Sequence, residues 1–117
     1  MTNNELKNKL QTIANQSENS IEKYIAYDSL NFDENDCSTY IKNIITPNTS
    51  MGMAMSFQYS DIDDFYNTHK NDIQKKQKEF GITSEDLSKF KGDNTYNLCW
   101  IVIEETATKM AKELKII

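Results

Sequence analysis

Along much of the chain apolar residues recur at threes and fours, the spacing that puts them on one face of an α-helix. From Asn3 to Ala14 the positions Leu6, Leu10, Ile13 and Ala14 share one face and predict a first helix. Ile21, Tyr24 and Ile25 restart the pattern, predicting a second helix to about Ser29 with Ser17 or Ser20 as its cap. After Asp33, the residues Cys37, Tyr40, Ile41, Ile44 and Ile45 repeat in the same way. Pro47 ends this third helix, because proline disfavours helical geometry at the residue before it and lacks an amide proton.

The next stretch reads two ways. Met51, Met53, Met55, Phe57 and Tyr59 alternate with small or polar residues, as a strand would, yet Met51, Ala54, Met55 and Tyr59 also fit a short helix. A lone strand leaves its hydrogen-bonding edge open unless a second chain supplies a neighbour, so helix is the preferred reading and a strand paired between two copies its competitor. A long helix then runs from about Asp61 to Phe80. Asp61, Asp63 and Asp64 crowd its first turn, Lys75, Lys76 and Lys78 its last, and Ile62, Phe65, Tyr66, His69, Ile73 and Phe80 trace its buried side. Gly81 stops it. A short helical turn is expected over Ser84 to Phe90, starting at Thr83 or Ser84, and a final helix from Asn94 to Leu114. Tyr96, Cys99, Trp100, Ile103, Ala107, Met110, Ala111 and Leu114 stripe that last helix, which becomes the expected centre of the core. Ile101 and Val102 widen its apolar surface, so it is either covered on two sides or shared with another subunit. The predicted fold is an all-α bundle of five to seven helices, one domain over residues 1–117, with a short strand at 51–59 as the competing reading.

Composition narrows the chemistry. The chain has 117 residues with a formal net charge of −5, and all 13 of its basic residues are lysine. Without arginine there is no bidentate fork for guanine edges or phosphates, and the acidic balance opposes binding by counterion release, so no direct nucleic-acid binding is expected. A charged partner is expected to be basic. No apolar run approaches a membrane span, and the amino terminus lacks a signal peptide's basic start and apolar centre, so a cytoplasmic protein with no membrane contact is expected.

The order Ile21-x-x-Tyr24-Ile25, then Met51-Gly52 leading to Tyr59-Ser60-Asp61-x-x-x-Phe65-Tyr66, then Asn97-Leu98-Cys99-Trp100 with Glu104-Glu105-Thr106-Ala107, Ala111 and Leu114, resembles an uncharacterised family. Its members are small helical proteins of bacteriophages and other mobile elements. The resemblance covers roughly residues 20 to 117, and the chain departs from the family's usual residues at Cys99 and at Gln58-Tyr59. The family has no established activity, so no catalytic residue is carried over. What the resemblance implies is a mobile-element origin and a role in interfering with the host.

The candidate chemistry is sparse. Cys37 and Cys99 form no paired metal-ligand motif, Cys99 falls in the apolar stripe as a buried reduced thiol, and Cys37 has acids beside it that raise a thiol's pKa. His69, the one histidine, lies between Phe65/Tyr66 and Ile73 and reads as a packed side chain rather than a general base. Glu104 and Glu105 with Asp61 or Asp64 could make a carboxylate metal site, but the Glu-x-x-His pair usual in such bundles is missing. No catalytic residue, metal or cofactor is therefore assigned. Two acidic clusters, Asp28/Asp33/Glu34/Asp36 and Asp61/Asp63/Asp64, are the candidate partner-binding residues, because clustered carboxylates steer a basic surface into contact. Each also has a structural use in capping. The expected function is a non-enzymatic protein that binds and inhibits a host defence protein of the CRISPR or restriction type, with a homodimer as its expected assembly if the Met-rich segment pairs. The alternative is a protein that sequesters a small nucleotide signal, or a small enzyme, with a pocket lined by Tyr24, Tyr66, Tyr96, Trp100 and His69.

Overall fold

A computed structural model describes residues 1–45 and 62–117, and every regular element among them is an α-helix. The helices are α1 (Asn3–Gln16), α2 (Ser20–Phe32), α3 (Ser38–Ile45), α4 (Ile62–Phe80), α5 (Ser84–Ser88) and α6 (Asn94–Glu113). The all-α expectation is met. The Met-rich segment at 51–59 and Asp61 lie outside the described residues.

Short polar side chains set the helix starts by accepting from amides that have no helical partner. Thr2 accepts from the Glu5 amide for α1, Asp93 from the Tyr96 amide at 2.7 Å for α6, and Thr83 exchanges bonds with Asp86 in a capping box for α5. Neither expected serine caps α2. Asn19 does, its Oδ1 accepting from Ile21 at 2.9 Å and Glu22 at 3.4 Å, while the Ser17 hydroxyl accepts from the Asn19 amide. α2 also runs a turn beyond Ser29, because the Phe32 ring packs against Tyr40 at 5.6 Å and tertiary contact extends the helix. α5 ends at Ser88, short of the expected Phe90.

α6 is the central element, as its stripe predicts. It packs on α2, α3, α4 and α5, and α1 lies against α2. Val102 and Ile103 are fully buried while Ile101 is only partly covered, so the widened apolar surface is taken up mainly within this chain. Leu10, Ile21, Ile25, Ile41 and Ile73 are also fully buried, each contributing roughly 1.5–3 kcal/mol over exposure. No helix among the described residues is long and apolar enough to cross a membrane.

Candidate functional site

The polar side chains that could do chemistry are held in joints between helices. Where α2 begins against α4, His69 Nδ1 lies 2.8 Å from Ser20 Oγ, and the Ser20 amide donates to Asp72 Oδ2 at 2.9 Å. Burial holds the His69 ring below the usual histidine range, against the opposing pull of Asp72. Burial also works against the Asp72 carboxylate, but the hydrogen bonds from Ser20 outweigh it and keep Asp72 below its ordinary value. A serine beside a histidine is half of a nucleophile pair. Here both groups fasten the first residue of α2 to α4, and neither lines the two hollows described below. Further along α4, Lys76 is 4% exposed, with Nζ 2.9 Å from Glu79, 3.6 Å from Glu22 and 5.4 Å from the Phe80 ring centre. Lys109 of α6 reaches the same Glu79 at 2.9 Å, and the bonds from Lys76 and Lys109 hold that carboxyl low. By residue type Lys76 belongs with the last-turn cations, but its position after Phe65, His69 and Ile73 puts it on the buried stripe.

The acidic clusters separate by environment. Asp28 is 1% exposed and accepts from the Tyr40 hydroxyl at 3.3 Å, beside Tyr24, so it is a core residue and cannot meet a partner at the surface. The expectation of a partner contact there is corrected by its place on the inner face of α2. Burial, reinforced by the Asp28 charge, pushes both tyrosine hydroxyls above their ordinary range. Asp33 forms an Asx turn by accepting from Asn35, and Asp36 accepts from the Ser38 amide and hydroxyl at the start of α3. The Ser38 and Thr39 hydroxyls lower the Asp36 carboxyl. Glu34, Asp36, Asp63 and Asp64 are exposed. Asp36 also borders a hollow of about 230 Å³ with Asn3, Ser38, Lys42 and Lys115.

The aromatic residues expected to line one pocket fall into two groups. Tyr24 packs edge-on to Phe65 at 5.3 Å with His69 beside it, whereas Tyr96 packs edge-on to Trp100 at 5.9 Å. Both cysteines are buried and free. Burial pushes the Cys99 thiol up to about 12, and raises Cys37 as well, with Asp36 and Asp33 adding to the effect.

A second hollow, of about 350 Å³, opens between α4, α5 and α6. Phe80, Ile82, Phe90 and Ile101 supply its apolar surface, and Asp86, Glu104, Glu105 and Lys89 its charged surface. Its geometry is fixed from beneath. The buried Asn97 amide of α6 donates to the carbonyls of Leu87 at 3.0 Å, Phe90 at 3.3 Å and Gly92 at 3.4 Å, pinning the segment that carries Phe90. Gly92 turns that segment at φ +119, and a Cβ there would meet Tyr96 at 3.3 Å, so a side chain at Gly92 would be strained and crowded. Partial burial raises the Glu104 carboxyl, and the neighbouring Glu105 charge raises it further.

A family described as a domain of unknown function (DUF7222) matches residues 3–116. The chain belongs to the DUF7222 family. No curated protein and no solved structure matches it. The DUF7222 match begins at the first residue of α1, well before the resemblance over residues 20 to 117, and this follows the packing, since α1 buries Leu6 and Leu10 against α2. Of the DUF7222 chain's groove residues, only the Glu104–Glu105 pair stood out as chemistry in the sequence. Phe90 falls in a predicted turn, and Asn97 lies between the stripe positions Tyr96 and Cys99, where an amide that holds three carbonyls gives no periodic signal.

Proposed function

We propose that this protein is a non-enzymatic binding protein of a phage or other mobile element, acting in the host cytoplasm. It blocks a host defence protein, such as a CRISPR effector or a restriction enzyme, by covering a basic surface on it. The observation that carries this reading is the α4–α5–α6 groove, where exposed aromatic surface adjoins the carboxylates of Asp86, Glu104 and Glu105. Apolar contact supplies affinity and complementary charge supplies orientation and association rate. The exposed acids Glu34, Asp36, Asp63 and Asp64 add to the steering, as does the net charge of −5. Ser20, His69, Asp72 and Asp28 are engaged in internal hydrogen bonds, a use that suits a scaffold. A nucleotide signal is a poorer occupant of the groove, since its phosphates would meet carboxylates.

The test is expression in hosts carrying an active CRISPR or restriction system, challenged with phage, together with inhibition of the purified effector. The expected result is restored phage plating and a stoichiometric complex that weakens as salt is raised, because the charges that steer it are screened. Unchanged defence in every system, with folded protein present, would overturn the reading. A rise in melting temperature with a nucleotide would favour the sequestering alternative.

A further inference from the structure

Resting on the binding role above, we propose that the α4–α5–α6 groove receives a short amphipathic segment of the partner in which lysine or arginine side chains flank an apolar one. Three observations converge on that occupant. The first is exposed aromatic surface in a fixed frame: Phe90 is 53% exposed, yet its backbone is held by the buried Asn97 amide, so little ordering remains to be done on binding. Aromatic anchors set in a preformed recess are the usual centres of binding energy.

The second is charge. Among the described residues Lys89 is the one cation lining the groove, and it is paired with Asp86 at 3.6 Å. Glu104 and Glu105 follow one another on α6 and both line the groove, with no ion pair to either among the described residues, and the Glu105 charge adds to burial in disfavouring the ionised form of Glu104. A cationic side chain placed between them relieves that repulsion. The third is what the same charges reject. A two-fold contact between copies through this face would set the acidic rim against itself, and a phosphate-bearing ligand would meet the same repulsion. An apolar residue with cationic neighbours satisfies both surfaces at once.

The test measures fluorescence anisotropy of a labelled peptide carrying leucines and lysines on one helical face, titrated with the full-length protein. A leucine–glutamate peptide and an oligolysine of equal length serve as comparators. The leucine–lysine peptide is expected to bind most tightly. Phe90→Ser should weaken it by about tenfold, as loss of an aromatic anchor does. The double substitution Glu104→Lys with Glu105→Lys should weaken it at least as much, and Glu18→Gln, an exposed acid outside both the groove lining and the acidic clusters, should leave it unchanged. Circular dichroism checks that each variant is folded, and Phe90→Ser, which alters an exposed side chain, carries the test alone if the double variant is not. Equal binding of oligolysine, or affinity indifferent to Phe90→Ser, would overturn the proposal. So would a dimer in sedimentation equilibrium that Phe90→Ser converts to monomer, which would assign the groove to a second copy. Peptide binding by a protein without effect on host defence would sink the functional reading and leave the groove. Inhibition undiminished by the groove variants would do the reverse.

Discussion

Asp28 and Asp63 both belong to acidic clusters, and their surroundings give them opposite roles. Asp28 is buried on α2 with the Tyr40 hydroxyl as donor, whereas Asp63 stands exposed in the first turn of α4. Asp28→Ala should therefore cost about 1–3 kcal/mol, since it leaves a buried hydroxyl without its acceptor. Asp63→Ala should lose only the favourable interaction with the helix N-terminus, roughly 0.3–1 kcal/mol. Urea unfolding midpoints of the two variants measure the difference, and equal losses would contradict the assignment of Asp28 to the core. The spacing did hold the signal: Asp28 lies four residues after Tyr24 and three after Ile25, on the side of α2 that is buried. Residue type pointed outward while periodicity pointed inward, and a tyrosine twelve positions away decided between them.

At the scale of elements, the joint between α2 and α4 makes stability depend on pH. His69 has its pKa lowered in the folded state from an ordinary 6.5, so the unfolded chain binds the proton more readily and stability falls as pH drops below 6.5. The slope is at most about 1.4 kcal/mol per pH unit for one proton. Asp72 and Glu79 are also lowered, from 3.8 and 4.5, so their contributions are present above those values and are lost as pH falls further. Melting temperature against pH should show two descents on acidification. His69→Gln should abolish the upper one and keep the lower, and an upper descent that survives the substitution would place the titrating group elsewhere. The helices themselves were legible from apolar period and breakers, including the stop at Gly81, where φ is +65. Their ends were less so. The cap at Asn19 and the extra turn to Phe32 depend on local acceptor geometry and on a ring from α3.

For the whole molecule, the closing of the other helices around α6 puts both thiols out of reach. Cys37 and Cys99 are 0% exposed, and the Cys99 thiol is held near 12, so neither presents a thiolate at neutral pH. Reaction with a colorimetric disulfide reagent should be slow in native buffer and fast in urea, its rate following opening of the fold. Rapid labelling of the native protein at Cys99 would show that the central helix is not covered as described.

The sequence by itself determined the class of fold, the central helix and the acidic, lysine-only surface, because helical period and net charge are local or additive properties of the chain. The tertiary structure decided which polar residues face inward and which apolar ones stay outside. It alone paired Ser20 with His69, brought the Tyr40 hydroxyl to Asp28 and Glu22 to Lys76, and set Phe80, Phe90 and Glu104 around one groove. Those outcomes depend on contacts between residues far apart in the chain, which no single helix's pattern encodes.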